Sequence, residues 1–375
     1  MYICYVTGTR ADFGLMASTL HRIEADPRLR LGLLVTGMHL APLYGETVGE
    51  IRAAGLPIVA EIPVTNDQST GESMAQSIAT MLSGFVTALV RENPDLVLLL
   101  GDRGEMLAGA IAAIHLGIPV AHVHGGERSG SIDESVRHAI SKLAHLHFTS
   151  TPAARDRLIR MGERAEHVWV TGAPGLDEIA ALATHDRAAL CAEAGLNPER
   201  KLALGVFHPV VNDAGSPGAQ LIALLRAARS QGCQVLMLEP NSDAGAGEIR
   251  DALGAFRVDP DVVIRTHLPR DRFISWMAQC DVMIGNSSSG VIEAASFGTP
   301  VVNVGNRQNL REAGANVIAV GTDEAAISAA IGAALRLPRA ARGNLYGDGR
   351  AGERIVEHLA NVPLGPHLMA KCNVY

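Results

Sequence analysis

The stretch LVLLLGDR, residues 96–103, joins a continuous run of apolar, β-prone residues to a short polar turn. A helical pattern follows at 105–115. An uninterrupted apolar run is typical of a parallel strand buried on both faces. In such a sheet, Asp102 and Arg103 would lie at the carboxyl end of the strand, which is the edge where open α/β sheets bind ligands. The stretch therefore predicts a parallel sheet covered by helices.

The same order of strand, turn and helix recurs through the first half of the chain. We predict strands at 2–6, 31–36, 58–62, 96–100, 118–123, 146–150 and 168–172, and helices at 14–24, 73–91, 105–115 and 134–143. Strands separated by helix-sized intervals indicate βαβ units and a parallel sheet.

A break at 173–175 (APG) and an irregular polar stretch through 197–198 separate this pattern from a second alternation. There we predict strands at 202–207, 235–238, 262–265, 282–284, 301–304 and 317–320, and helices at 270–278, from Gly290 and at 324–335. The fold class is thus α/β, with two Rossmann-like, doubly wound domains and an active-site cleft between them. We predict domains at 1–172 and 173–350. A C-terminal helix and tail at 351–375 pack back onto the first domain.

Composition excludes several classes of protein. The 375 residues are 47% hydrophobic and 19% charged, as expected of a globular protein. The net charge of −7 argues against nucleic-acid binding as the main activity. We identify no apolar run of the ~18–20 residues that a membrane-spanning helix needs. The five cysteines show no paired spacing, so we expect a cytoplasmic protein.

Polar residues follow the predicted strands of the first half. Residues 8–10 (GTR) suit a phosphate, although a plain turn with a solvated Arg10 is the alternative. Asp102 is either a base or a helix cap. The next strand ends in HVHGGE, residues 122–127, and Asp133 follows soon after. Neighbouring strands would bring these groups together. Crowded carboxylates raise each other's pKa and a nearby imidazolium lowers it, so that like groups can serve as an acid and a base.

Two further alternatives remain open in this half. Histidine and carboxylates also bind metals, but their spacing matches no standard metal motif, so we expect no metal. Arg137 and His138 lie one turn into the helix after Asp133, and they either reach the cleft or lie on the surface.

The second half offers a different set of groups. His208 ends a strand and either enters the cleft or is structural. The loop 285–290 (GNSSSG) precedes a helix and can bind phosphate through N–H and O–H groups. Glu293 suits a ribose diol, the alternative being a serine cap followed by a solvated glutamate. Arg307 is a charge partner for pyrophosphate.

These segments, from VTGTRAD at 6–12 to about Arg311, resemble the hydrolysing UDP-N-acetylglucosamine 2-epimerases, which supply N-acetylmannosamine for sialic acid synthesis. The resemblance includes VTGMH at 35–39 and SIDESVRH at 131–138. It implies a two-domain, glycosyltransferase-B-like (GT-B-like) fold with UDP in the cleft, mainly on the second domain.

The resemblance also implies the reaction. A base removes the proton at C2 of the sugar while UDP leaves C1, giving a glycal. Water then adds at C1, and a proton returns to the opposite face of C2. By motif position, the catalytic residues are Asp102, Asp133 and His208, and the phosphate and nucleotide residues are Arg10, Ser287, Ser288, Glu293 and Arg307. We expect no metal or other cofactor, a nucleotide-sugar substrate, and a homodimer or homotetramer.

One motif departs from part of the family. Some members, including the animal enzyme, read HIEGGE where this chain reads HVHGGE, so His124 replaces a proposed catalytic glutamate. Either His124 or Glu127 takes that proton-transfer role.

The substrate also has alternatives. UDP-N-acetylglucosamine is the main expectation, and a UDP- or GDP-linked 2,4-diacetamido-2,4,6-trideoxyhexose of legionaminic-type pathways is the second. A GT-B glycosyltransferase or a non-catalytic nucleotide-sugar-binding protein would be of another class, and the acids of the first half argue against the latter.

Overall fold

The computed structural model describes residues 1–64, 70–210, 215–339 and 343–374. The elements around the first sheet are β1 Tyr2–Thr7, α1 Arg10–Ala25, β2 Arg30–Thr36, α2 Val48–Ala53, β3 Ile58–Ile62, α3 Gly71–Glu92, β4 Leu96–Leu100, α4 Gly104–His115, β5 Val120–Val123, α5 Ile132–Leu143, β6 Leu146–Thr149, α6 Pro152–Arg160 and β7 Val168–Val170.

The rest of the chain forms a second sheet and its helices. These elements are α7 Ile179–Leu182, α8 Arg187–Ala194, β8 Leu202–Val206, α9 Pro217–Ser230, β9 Gln234–Leu238, α10 Ala246–Gly254, β10 Val262–Arg265, α11 Arg270–Gln279, β11 Val282–Gly285, α12 Ser288–Ile292, β12 Val301–Val304, β13 Val317–Val320, α13 Glu324–Ala334, α14 Ala351–Asn361 and α15 Pro366–Met369. Short 3₁₀ turns lie at Gly37–Leu40, Pro42–Tyr44, Ala165–His167, Pro174–Leu176 and Ala294–Phe297.

The strand order explains where a site can form. Within the described residues, the first sheet runs β3-β2-β1-β4-β5-β6-β7 and the second runs β10-β9-β8-β11-β12-β13, and every paired strand is parallel. The order reverses between β1 and β4 and between β8 and β11. Loops diverge at such switch points and leave a crevice at the carboxyl ends of the strands. The prediction of two doubly wound α/β units is confirmed.

A glycine allows the loops of one switch point to approach closely. Gly285 has a φ of +130°, and a Cβ there would collide with the backbone carbonyl of Val206. Only glycine fits this conformation and this contact. The ends of β8 and β11 therefore meet directly beside the loop that follows each strand.

Each sheet is covered on both faces by apolar side chains. The first sheet packs against α1 and α14 on one face and against α3, α4 and α5 on the other. Ile355 and Leu359 of α14 are fully buried in the core of this first sheet. The last long helix thus packs on the first sheet. The domain limits at 172 and 350 stay a prediction.

The structure also corrects several local expectations. The helices α6, α9 and α10 were not predicted, and α8 occupies part of the stretch expected to be irregular. The start of α9 could have been predicted from the sequence, because a serine cap followed by proline is typical of a helix N-terminus. Ser216 accepts a hydrogen bond from the Ala219 amide, and Pro217 is the first helical residue. The helix after β11 begins at Ser288, before Gly290, and has only five residues.

The helix α3 is long and apolar. By length and composition alone this helix could cross a membrane, whereas the sequence pattern predicts no membrane-spanning run. It packs Met81, Phe85 and Leu89 into the core of the first sheet. A core helix passes the same test, so the helix is weak evidence for a membrane span.

Candidate active site

A cleft of about 370 Å³ lies between the facing edges of the two sheets. The eleven residues singled out from the sequence all line it: Arg10, Asp102, His124, Glu127, Asp133, Arg137, His208, Ser287, Ser288, Glu293 and Arg307. Six of them come from the first half of the chain and five from the second. The structure thus brings the candidate acids and the serine loop into one site, while the role of each residue stays a prediction.

Asp102 follows β4 and is held by Arg137 of α5. The guanidinium of Arg137 donates from Nη2 to Asp102 Oδ2, and from Nη1 to the Glu127 carbonyl at 3.3 Å. Arg137 is 1% exposed, and burial followed by the charge of Arg307 lowers its pKa to about 10. Arg137 is therefore a buried partner of Asp102 rather than a surface residue. The neighbouring His138 Nε2 lies 3.7 Å from Glu134.

Glu127 is the most heavily engaged carboxylate of the cleft. Ser150 Oγ donates to its Oε1, Arg311 Nη1 donates to its Oε2, and His124 Nδ1 lies 2.8 Å from Oε1. Burial, followed by the charge of Arg311, lowers the pKa of His124 to about 3. The imidazole is consequently neutral at physiological pH.

Asp133, at the start of α5, faces the second half of the chain. Arg307 Nη2 donates to its Oδ2 at 3.3 Å, and Arg307 Nη1 donates to the Asn286 carbonyl at the same distance. The Gly130 amide donates to the Arg307 carbonyl at 3.0 Å. Another contact joins Thr151 to Glu312, 2.6 Å apart. Hydrogen bonds thus join the segment 307–312 to Gly130, Asp133 and Thr151 of the first half.

His208 enters the cleft from the second sheet, as one of the two sequence alternatives expects. Its Nδ1 accepts a hydrogen bond from the Asn241 amide at 3.2 Å, and its own amide donates to Asn286 Oδ1 at 2.8 Å. Burial, then the charge of Arg307, lowers its pKa to about 3. Because a backbone amide only donates, the neutral ring carries its proton on Nε2. His208 can therefore donate from Nε2 to a ligand.

The serine loop supplies hydroxyls rather than a long helix dipole. Ser287 is the N-cap of α12, and its hydroxyl lies 2.8 Å from that of Ser289. Since α12 has five residues, its macrodipole is small. An anion bound here would therefore depend more on side-chain hydroxyls and neighbouring arginines than on a helix N-terminus.

Glu293 already has a cationic partner. Arg270, the first residue of α11, donates from Nη2 to Glu293 Oε1 and to the Gly175 carbonyl, the latter at 3.0 Å. Both side chains line the cleft. Glu293 is therefore a buried carboxylate in an ion pair, not the solvated glutamate of the sequence alternative, and no hydrogen bond to its Oε2 is found within the described residues. Sequence reasoning missed Arg270, which stands in no recognisable motif.

Arg10 begins α1, and the loop before it is organised by Asp12. This buried carboxylate accepts from the amides of Gly8 and Thr9, at 3.2 and 2.7 Å, and from the hydroxyls of Thr7 and Thr9. Burial raises the pKa of Asp12 to about 7. The loop that presents Arg10 is thereby held in one conformation.

Arg103 joins the two halves on the other side of the cleft. It donates from Nε to Glu105 at 2.8 Å, and its Nη1 lies 3.5 Å from Asp243. Sequence reasoning did not assign Arg103, Asp243 or Arg311. Among residues 1–64, 70–210, 215–339 and 343–374, no group of three or more histidine, cysteine or carboxylate side chains is arranged to hold a metal ion.

Comparison with known proteins extends the family resemblance. The sequence model of a family described as UDP-N-acetylglucosamine 2-epimerase matches residues 21–360. A UDP-N,N′-diacetylbacillosamine 2-epimerase (hydrolyzing) of Legionella pneumophila is 50% identical over 373 residues, covering 100% of this chain and 99% of that protein. A UDP-N-acetylglucosamine 2-epimerase of Neisseria meningitidis is 34% identical, covering 84% of this chain and 82% of that protein.

The fold also has solved counterparts. The structure of a UDP-GlcNAc 2-epimerase of Methanocaldococcus jannaschii, in complex with UDP-GlcNAc and UDP, superposes with a TM-score of 0.81. It covers 96% of this chain and 99% of its own, at 18% sequence identity. At that identity the likeness supports the two-domain fold alone.

Proposed function

Because the chain belongs to the UDP-N-acetylglucosamine 2-epimerase family, as a hydrolysing member, we propose that it epimerises and hydrolyses a nucleotide-linked 2,4-diacetamido-2,4,6-trideoxyhexose. The nucleotide is UDP and the sugar is N,N′-diacetylbacillosamine. One observation carries this choice: the 50% identity, over the whole of both chains, to a protein described as the hydrolysing 2-epimerase of that substrate.

The proposed substrate is the second of the two expected from the sequence, in place of UDP-N-acetylglucosamine. The relative described as acting on UDP-N-acetylglucosamine is 34% identical and matches a smaller share of both chains. Both substrates share the nucleotide, the C1–O bond and the C2 acetamido group. They differ at C4 and C6, so the same chemistry at C1 and C2 serves either sugar.

The proposed reaction divides into elimination and hydration. A base takes the C2 proton, the C–H electron pair forms the C1=C2 bond, and the C1–O pair leaves with UDP. Water then gives its hydroxyl to C1, and a proton adds to the opposite face of C2. Asp102, Asp133 and one of His124 and Glu127 supply these transfers. The cleft supports this role because the three turns that carry them meet there.

The leaving nucleotide is held mainly by the second half. His208 donates from Nε2 to an oxygen of the departing diphosphate, whose charge grows as the C1–O bond breaks. Arg10, Arg307 and the hydroxyls of Ser287 and Ser288 bind the phosphates. Glu293 accepts from the ribose hydroxyls through the oxygen that Arg270 does not contact. These roles are supported by the hydrogen-bond pattern of the cleft.

The test is to incubate the purified protein in D₂O with each candidate nucleotide sugar and to identify the products by NMR. We expect free 2,4-diacetamido-2,4,6-trideoxymannose carrying deuterium at C2, with one UDP released per sugar. Faster release of deuterated N-acetylmannosamine from UDP-N-acetylglucosamine would overturn the substrate choice. A product that keeps the gluco configuration, or a need for an acceptor, would favour a glycosyltransferase and overturn the reaction.

A further inference from the structure

The contacts of Glu127 leave it little capacity for a substrate. Both of its oxygens are occupied, one by Arg311 and the other by Ser150 and His124. The side chain is 4% exposed. To take a proton from a sugar, this carboxylate would have to give up an ion pair inside the protein, where losing a charged partner is costly. The geometry therefore does not suit Glu127 for direct contact with the reacting carbon.

His124 has the opposite arrangement. Its Nδ1 lies 2.8 Å from a carboxylate oxygen, and two lone pairs at that distance would repel, so Nδ1 carries the ring proton. The other nitrogen, Nε2, is left with a free lone pair. This atom is buried and has no hydrogen-bond partner in the described part of the chain, although the residue lines the cleft. Burying such an acceptor without a partner is costly, and a ligand's donor group would recover that cost.

The backbone of His124 is also unusual. Its φ is +64°, in the left-handed region that residues other than glycine rarely adopt. Its amide donates to the Phe148 carbonyl at 3.0 Å, which holds the residue in this conformation. Strained conformations of this kind collect where a side chain must be aimed for function. His124 directly follows β5, and in this conformation its Nδ1 lies 2.8 Å from Glu127 Oε1.

We infer that His124 and Glu127 form a dyad, in which His124 Nε2 is the catalytic base that takes the C2 proton and Glu127 is a positioning residue that acts through Nδ1. This inference rests on the proposed function and resolves a choice that the sequence leaves open. It also explains how HVHGGE replaces HIEGGE. The histidine stands where the glutamate would, and Glu127, three residues on, orients it.

The proton balance of the step is complete. The C2–H bond breaks and its electron pair becomes the C1=C2 bond, while the C1–O pair leaves with UDP. The proton bonds to Nε2, and the resulting imidazolium is stabilised by the carboxylate beside Nδ1. In the second half of the reaction, C2 gains a proton from a carboxylic acid and the hydroxyl of water adds to C1. The remaining proton of that water restores the carboxylic acid, and the imidazolium releases its proton to solvent. Net consumption is one water.

The first test is a ring-nitrogen spectrum of the intact protein, which needs no turnover. With ¹⁵N-labelled histidine, wild-type His124 is expected to show the Nδ1–H tautomer at pH 7, assigned by loss of its signals in His124→Asn. Glu127→Gln should shift the tautomer balance, because an amide can donate to Nδ1 as well as accept from it. A wild-type ring protonated at Nε2 would overturn the inference.

The second test is chemical rescue. His124→Ala should lower kcat by about 10²–10⁴-fold while UDP affinity is retained, and free imidazole should restore part of the rate. Asp102→Asn is the matched control, and imidazole should not restore it. His124→Glu, which places the HIEGGE carboxylate at this position, should recover activity without imidazole. A kcat of His124→Ala within about threefold of wild type would overturn the inference.

The role of Glu127 is read from the kinetics of Glu127→Gln. If Glu127 is a positioning residue, Glu127→Gln should lower kcat with little change in KM. Free imidazole should not restore that kcat. If Glu127→Gln retains normal kcat, Glu127 does not act through His124. Circular dichroism identifies any variant that fails to fold. If wild-type protein releases no free epimer from any sugar, the proposed function fails, whereas the tautomer result is unaffected.

Discussion

Arg307 of the second half donates to Asp133 of the first half, with Nη2 and Oδ2 3.3 Å apart. The arginine expected to hold the diphosphate is thus paired with a carboxylate expected to move a proton. A bound diphosphate would compete for the guanidinium and weaken its hold on Asp133. Nucleotide binding and the hydrogen bonding of Asp133 are therefore linked through the side chain of Arg307.

Replacing Arg307 should weaken nucleotide binding. Loss of a charge-assisted hydrogen bond costs about 1.5–3 kcal/mol, so Arg307→Ala should lower UDP affinity roughly 10- to 150-fold. Isothermal titration calorimetry measures this directly. The exposed Arg336→Ala is a matched control in the same half and should bind UDP normally. An unchanged UDP affinity in Arg307→Ala would leave the phosphates to Arg10 and the serine hydroxyls.

The two aspartates should separate binding from chemistry. Removing a proton-transfer group typically costs about 10²–10⁴-fold in rate, so Asp102→Asn and Asp133→Asn should lose most of kcat. UDP affinity should persist, because neither carboxylate is expected to contact the nucleotide. The surface change Asp156→Asn serves as the control. Near-normal kcat in either cleft variant would contradict the role given to that residue.

Glu293 should discriminate nucleoside from phosphate. If it accepts from the ribose hydroxyls, Glu293→Gln should weaken UDP binding by about 10-fold or more while pyrophosphate binding changes little. The isosteric change keeps a side chain beside Arg270 and limits disturbance of that pair. Calorimetry with UDP and with pyrophosphate gives both values. Equal losses for the two ligands would remove the ribose assignment and mean that Glu293 acts on the phosphate site indirectly, by holding Arg270.

Much of the cleft follows from sequence because polar residues after parallel strands must meet at one edge of the sheet. Asp102, His124 and Ser287 are examples. The hydrogen-bonding partners of the cleft residues cannot be predicted from the sequence in this way. Arg270 and Arg311 lie outside the strand-end motifs, and only the packing of one half against the other brings them to Glu293 and Glu127. The choice of His124 over Glu127 as the base likewise depends on the contacts of the two ring nitrogens of His124, which the sequence does not show.

Acid should destabilise the protein. Burial lowers the pKa of His39 to about 4 and the pKa values of His122, His124 and His208 to about 3, from 6.5 when unfolded. Between pH 6.5 and 4 the unfolded chain therefore binds protons that the folded chain does not. Each such group lowers the free energy of unfolding by up to about 1.4 kcal/mol per pH unit as the pH falls.

Asp12 acts in the opposite sense. Its pKa is raised by burial to about 7 from 3.8, so the folded state holds that proton more tightly and gains stability on acidification over this window. One carboxyl does not offset four histidines, and Tm should fall from pH 7 to pH 5. Asp12→Asn should make the fall steeper. A Tm that is constant or rises over this range, measured by differential scanning fluorimetry, would contradict the buried neutral histidines.

The return of α14 to the first sheet should be visible in stability. Leu359 is 0% exposed and packs in the core that α1 shares with this helix, whereas Val258 is 88% exposed. Leu359→Ala should therefore cost about 2–5 kcal/mol, through lost burial and the cavity that remains, while Val258→Ala should cost almost nothing. Urea unfolding followed by circular dichroism gives both values. Because the first sheet carries Asp102 and His124, Leu359→Ala should also lower the temperature at which activity is lost. Equal stability of the two variants would mean that the first sheet is complete without the C-terminal helix.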